Sequence, residues 1–186
     1  GEGADLANLG SAYLDLGDAR KAIEFHEQAL VITREIGDRR VEGNSLNNMG
    51  LAYAALGDAR KAIELYGKRL EIANEIGDKQ GEGNALNNIG SAYAALGDAR
   101  KAIKFHEQAL VIDREIGNRS SEGNALNNLG LVYVDLGNVR KAIEFYEQAL
   151  VISREIGDRR GEGNALNNMG IAYAALGDVR KAIEFY

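Results

Sequence analysis

A segment of eight residues returns every 40 positions, and this period restricts the fold more than any other feature of the chain. "LGDARKAI" begins at residues 16, 56 and 96, "LGNVRKAI" at 136 and "LGDVRKAI" at 176. A fixed period of this length is typical of an array in which each unit buries its apolar face against its neighbours. We therefore predict a single solenoid domain over 1–186. Its repeats are 1–40, 41–80, 81–120, 121–160 and 161–186, the last of them truncated.

Within each repeat the apolar residues follow a helical period. In the second repeat, Leu46, Met49 and Tyr53 share one stripe of a first helix, which we call helix A. Gly57 is expected to adopt the left-handed backbone conformation that ends helix A, and Asp58 to cap the N-terminus of the next helix. A second helix, helix B, therefore follows after a tight turn. Stacked antiparallel pairs of this kind predict an all-α, right-handed α-solenoid. The predicted helices are near 3–16, 18–36, 39–56, 58–76, 79–96, 98–116, 119–136, 138–156, 159–176 and 178–186.

Residues 125–150, "ALNNLGLVYVDLGNVRKAIEFYEQAL", resemble the tetratricopeptide repeat, and equivalent residues recur in every unit. The positions that carry the resemblance are Leu129, Gly130, Tyr133, Gly137, Ala142, Tyr146 and Ala149. The 40-residue length and the "EIGDRRGEGNAL" junction are similar to the longer repeats of Leu-Gly-Asn-type polarity adaptors and kinesin light chains. The resemblance implies a superhelix with helix A on its concave wall, and a scaffold that binds other proteins.

Helix A contains asparagine where a surface helix normally contains charge. No charged residue lies between Glu42 and Asp58, and a helical projection places Asn44, Asn47 and Asn48 opposite the core stripe. The resemblance places this uncharged arc on the concave wall. An asparagine amide donates and accepts hydrogen bonds, so it matches the backbone of an extended peptide without requiring any charge. In the resembling adaptors, extended partner segments are held in this way.

The candidate peptide-binding residues occupy equivalent positions of helix A in four repeats. They are Asn44, Asn47, Asn48, Leu51, Asn84, Asn87, Asn88, Ser91, Asn124, Asn127, Asn128, Leu131, Asn164, Asn167 and Asn168. We expect the amides of Asn84, Asn87, Asn124 and Asn127 to face a common groove and to be unpaired within the chain. For Asn48 and its equivalents, hydrogen bonding between neighbouring helices is the alternative. The alternation of Ser and Leu at position 51 indicates either recognition of partner side chains or drift at an exposed site.

Other chemistry has little support in the sequence. A net charge of −6 and a pI near 5.1 argue against nucleic acid and anionic lipid as partners, because both need clustered Lys and Arg. We therefore expect a protein or peptide partner. We expect no catalytic, cofactor-binding or metal site, no cofactor and no enzymatic activity. His26 and His106 stand where other repeats have tyrosine, which indicates packing, and Glu122 is assigned to a solvated face. The lack of cysteine, of long apolar runs and of a signal pattern predicts a cytoplasmic location with no membrane association.

A structural role is the alternative function. Apolar residues of the first helix lack a preceding repeat, and those of the last pair lack a following one. The first set is Leu6, Leu9 and Tyr13, and the second is Ile171, Tyr173, Ile183 and Tyr186. Because the two sets represent different faces of one repeating interface, they predict head-to-tail self-association.

Overall fold

The computed structural model describes residues 1–185, and every regular element in this range is an α-helix. The helices are α1 (Glu2–Asp15), α2 (Ala19–Ile36), α3 (Arg39–Ala55), α4 (Ala59–Ile76), α5 (Lys79–Ala95), α6 (Ala99–Glu115), α7 (Arg119–Asp135), α8 (Val139–Ile156), α9 (Arg159–Ala175) and α10 (Val179–Glu184). The predicted bounds agree with these to within about two residues. The predicted end of α10 at Tyr186 lies outside the described residues. The all-α prediction of stacked helix pairs is confirmed.

The turns between helices use the two residues that the sequence predicted for them. Gly57, after helix A, and Gly77, after helix B, have φ angles of 84° and 68°, which L side chains rarely adopt. Asp58 then caps α4, because its Oδ1 accepts a hydrogen bond of 2.9 Å from the backbone N–H of Lys61. Each helix therefore ends and restarts within about two or three residues.

The chain divides into two compact units, Gly1–Leu96 with α1 to α5 and the residues from Gly97 onward with α6 to α10. In each unit, successive helices pack side by side. The A helices of neighbouring repeats also meet, α1 with α3 in the first unit and α7 with α9 in the second. Each unit therefore brings the asparagine-containing faces of adjacent repeats together. The single domain over 1–186 stays a prediction.

Helices A and B of one repeat approach most closely where a glycine lies under a ring. A Cβ atom on Gly50 would overlap the ring of Tyr66, and one on Gly130 would overlap the ring of Tyr146. Both rings are fully buried. Only glycine permits this approach, so the glycine sets the distance between the two helices.

Gly67 is different, because it lies inside α4 and a Cβ atom there would meet nothing within 4 Å. We expect Gly67→Ala to raise the free energy of unfolding by about 1 kcal/mol, since alanine loses less backbone entropy in a helix. Urea denaturation of the full chain measures the change. In the control variant Gly50→Ala the new methyl group overlaps the Tyr66 ring, so that variant is expected to be less stable. A loss of stability in Gly67→Ala would contradict this assignment.

Candidate peptide-binding surface

Each A helix from the second to the fifth repeat exposes an asparagine at the position of Asn44. Asn44, Asn84, Asn124 and Asn164 form this position-44 column, and all four are exposed. None of their side chains makes a hydrogen bond with another residue of the described range 1–185. For Asn84 and Asn124, the predicted unpaired amides are thus found. Each offers its donors and its acceptor to solvent or to a ligand.

The asparagines at positions 47 and 48 instead form a ladder of amides in the first unit. Asn88 Nδ2 donates to Asn47 Oδ1 over 2.9 Å, and Asn47 Nδ2 donates to Asn48 Oδ1 over 3.2 Å. Asn48 Nδ2 then donates to Ser11 Oγ over 2.9 Å. The first repeat has Ala7 where the second has Asn47, so a serine one turn further along α1 accepts the bond. The ladder connects α1, α3 and α5.

The same bond occurs in the second unit, where Asn168 Nδ2 donates to Asn127 Oδ1 over 3.2 Å. Asn87 and Asn128 are also engaged within the chain. The prediction of unpaired amides at Asn87 and Asn127 is therefore wrong. The physical reason is that adjacent A helices pack closely enough for an amide to reach the next repeat. Asn48, Asn88 and Asn168 are the donors, as the structural alternative described.

The remaining predicted positions add apolar surface beside these amides. Leu51 is 37 % and Leu131 47 % exposed, while Asn167 and Ser91 are exposed polar residues. In the first unit a cavity of about 480 Å³ lies between the A helices. Its lining includes Leu51, Tyr66, Asn88, Ser91 and Ala92. In the first unit, amides therefore lie beside a recess that suits an apolar side chain.

In α3 and α7, the acidic residue near the start of the helix is buried and paired with arginines. Glu42 is buried, and it accepts hydrogen bonds from Arg34 Nε over 2.8 Å and from Arg39 Nη1. Glu122 is buried in the same way. Its partners are Arg114 and Arg119.

The assignment of Glu122 to a solvated face is therefore wrong. The reason lies in the tertiary structure. Arg114 at the end of α6 and Arg119 at the start of α7 both bind the carboxylate of Glu122. Sequence reasoning missed this arrangement. The signal was an arginine eight residues before the glutamate of the next repeat, present in the first, third and fourth repeats. The result of the arrangement is that arginines neutralise the carboxylates of Glu42 and Glu122, whereas Asp15 and Asp135, at the ends of α1 and α7, are exposed.

Asp113 is a second buried carboxyl group, and it has no such partner. The equivalent residues are Thr33, Ala73 and Ser153. Its side chain is 1 % exposed, and its Oδ1 finds no hydrogen-bond partner in the described range. Burial, together with the nearby charge of Glu122, raises the pKa of Asp113 to about 6. An ionised Asp113 therefore opposes folding.

We expect Asp113→Ser to raise the free energy of unfolding by about 1–3 kcal/mol at pH 7. The folded pKa of about 6 lies above the ordinary value of 3.8, so the pH-dependent part of the stability difference between variant and parent should develop between about pH 4 and pH 6 and be absent below pH 4. Burial lowers the pKa of His26 and His106 to about 4. In both proteins these histidines make the free energy of unfolding rise with pH, opposite to the effect of Asp113. Urea denaturation at each pH is therefore compared as a difference. The reverse change, Ser153→Asp, should destabilise, and a difference independent of pH would contradict the assignment.

The two histidines pack where the sequence predicted. The imidazole of His26 lies against Gly10, where an added Cβ would come within 2.7 Å of the ring, and His106 is also buried. Over residues 1–185, no three potential metal-binding side chains come together. None of the helices in that range has the length and apolar character needed to cross a membrane.

Comparisons with known proteins agree with this architecture. A tetratricopeptide repeat family model matches residues 4–75, 44–115, 81–155 and 121–186. BtubC (BKLC) from P. vanneervenii matches with a TM-score of 0.83 and 24% identity over 97% of this chain and 75% of that one. A kinesin light chain-like protein with nearly identical repeats from Podosopora anserina gives 0.77 and 22%, over 98% and 90% of the two chains.

A Rap protein complexed with competence and sporulation factor matches with a TM-score of 0.88 and 17% identity, over 100% of this chain and 52% of that one. At these identities the three structures establish the fold. A comparison with curated proteins finds no match.

Proposed function

Because the chain belongs to the tetratricopeptide repeat family, we propose that it is a scaffold whose A helices bind an extended segment of a partner protein. The predicted family and the resemblance to kinesin light chains are confirmed. Proteins of this family bind other proteins, and they are in general scaffolds rather than enzymes. The cytoplasmic location stays a prediction.

The observation that supports the proposal is the position-44 column. In the first unit Asn44 and Asn84 are exposed and unpaired within the described residues, and Asn124 and Asn164 are so in the second. A neutral amide that repeats once per helix pair can accept from a backbone N–H and donate to a backbone carbonyl. In the second, third and fifth repeats, helix A carries no charge between its N-terminal glutamate and its C-terminal end, so recognition there depends on hydrogen bonds and shape.

The ladder amides support the same surface in two ways. They hold neighbouring A helices together, and they keep unused hydrogen-bonding capacity. The amide nitrogen of Asn88 donates one of its two N–H groups to Asn47, which leaves the other for a ligand. The exposed side chains of Leu51 and Leu131 provide apolar contact next to these amides. The structural neighbour Rap is itself complexed with competence and sporulation factor.

We expect Asn124→Ala combined with Asn164→Ala, both in the second unit, to weaken binding of a verified partner by about 1–3 kcal/mol, the contribution of two hydrogen bonds. Neither amide bonds within the described residues, so helical circular dichroism should be retained, and the urea midpoint should not fall because alanine favours a helix more than asparagine does. Isothermal titration calorimetry measures the affinity.

Asn74→Ala is the matched control, because this asparagine is exposed on helix B. Equal affinity for the parent chain and the double variant would rule out these two amides as a source of binding. Replacing Asn127 is a less specific test, since it also removes the acceptor of Asn168.

Exposed apolar residues of the fifth repeat favour head-to-tail self-association as a second candidate function. Val179 and Ile183 are 61 % and 68 % exposed, and Leu9 of α1 is 47 % exposed. In the fourth repeat, the equivalent of Ile183 is Ile143, which is buried at 7 % exposed. Tyr186, which the sequence assigned to this surface, lies outside the described residues.

We expect sedimentation equilibrium to show weak, concentration-dependent association that Ile183→Glu abolishes, because a buried charge opposes an apolar contact. Val31→Glu serves as the control, since Val31 is exposed at 59 % on helix B of the first repeat. A strict monomer at high protein concentration would refute self-association without affecting the peptide-binding proposal.

A further inference from the structure

A cavity of about 250 Å³ lies between α1 and α3, with α2 beneath it. Asn8 and Ser11 of α1 and Asn44 of α3 contribute to its walls. His26 of α2 and Ser45 of α3 also line it, and both are fully buried, so they form its floor. The whole cavity belongs to the first compact unit and opens beside the position-44 column.

Four departures from the repeat pattern meet at this cavity. Ala4 and Ala7 stand where the next repeat has Asn44 and Asn47, so the wall of α1 lacks two amides. His26 replaces the tyrosine found in the second and fourth repeats, which removes a phenol group. Ser45 adds a hydroxyl group where the third, fourth and fifth repeats have alanine. The changes enlarge the space and make its floor more polar.

The floor contains polar atoms without partners. Neither Nδ1 nor Nε2 of His26 makes a hydrogen bond within residues 1–185, and the same holds for Oγ of Ser45. Buried polar groups are almost always paired in folded proteins, so exceptions point to a bound water or ligand. At the rim, the exposed amides of Asn8 and Asn44 also have no partner in that range. Asn48 and Ser11, in contrast, are bonded to each other.

The charge state of the lining restricts what can bind. Apart from His26, no residue that lines the cavity is ionisable. Burial lowers the pKa of His26 to about 4, so about one molecule in a thousand is protonated at pH 7. A carboxylate would therefore meet no cation, and an ammonium group would meet no anion. A neutral imidazole has one donor and one acceptor, and the serine hydroxyl has both.

We propose that this cavity is a subsite for a primary carboxamide, the side chain of a glutamine or asparagine in the bound segment. A carboxamide has a donor and an acceptor on one uncharged group, which matches the free capacity of His26 and Ser45. The inference rests on the proposed function, because the segment would lie along the A helices and insert one side chain beside Asn44. It adds a specificity that the repeating amides alone do not provide.

Propionamide, which reproduces the end of a glutamine side chain, is the probe. It is titrated into the ¹⁵N-labelled full chain while NMR follows the ring nitrogens of His26, with those of His106 as an internal reference. We expect a saturable shift at His26, and no saturable shift with propionate or 1-propanol at the same concentrations. A response to propionate or propanol as large as that to propionamide would overturn the carboxamide assignment. The lack of any saturable response would mean that the cavity holds water only.

Two variants use residues that the chain already accepts at equivalent positions. Ala4→Asn combined with Ala7→Asn fills the walls, and Ser45→Ala removes the hydroxyl from the floor. We expect each to raise the dissociation constant of propionamide at least tenfold. Circular dichroism and the urea midpoint should show that the fold is intact. Ala165→Ser, the corresponding change in the fifth repeat, is the control and should not alter the response. A response that survives in the filled variant would place the binding elsewhere.

The outcome is separable from that of the proposed function. If propionamide fails to bind but Asn124→Ala with Asn164→Ala still weakens partner binding, the subsite is wrong and the scaffold proposal stands. If propionamide binds as expected but the double variant keeps full affinity, the cavity remains a carboxamide site, and the two substituted asparagines are excluded as a source of peptide binding.

Discussion

The contact between a helix A glycine and a helix B ring determines the geometry on which the rest of each unit depends. Gly50 under Tyr66 and Gly130 under Tyr146 let two helices approach to a distance that any Cβ atom would prevent. Because each repeat buries its apolar face against its neighbours, this spacing is transmitted along the unit. It brings adjacent A helices close enough for asparagines 41 residues apart in sequence to bond. The surface proposed for binding is thus a consequence of packing in the interior.

Asparagine has two separate uses on that surface. At positions 47 and 48 the amides bond between repeats, as Asn88 does to Asn47 and Asn168 to Asn127. At position 44 they remain exposed without a partner in the described part of the chain. A neutral amide suits both uses because it donates and accepts without a charge to neutralise. Arginine pairs neutralise the buried carboxylates of Glu42 and Glu122.

Near-identity of the repeats makes local departures informative. Where the first repeat lacks Asn at two positions, Ser11 accepts the ladder bond and a cavity opens above His26. Ser45, also a departure, supplies a second unpaired group at the same place. Asp113 shows the opposite case, a departure that leaves a carboxyl group buried without compensation and therefore costs stability. Each departure has its own internal control, because other repeats show what the position normally contains.

The amino-acid sequence alone determined the helices, their turns and the family, because these depend on local signals repeated at a fixed period. Helical periodicity predicted each helix, while Gly57 with Asp58 predicted where one helix ends and the next begins. Hydrogen-bond partners and burial were decided only by tertiary structure. The bond that Asn127 accepts from Asn168 and the burial of Glu122 both join residues of different helices. A periodic pattern shows which face of a helix a residue occupies, but whether a side chain there reaches a neighbour depends on the distance between helices, which packing alone sets.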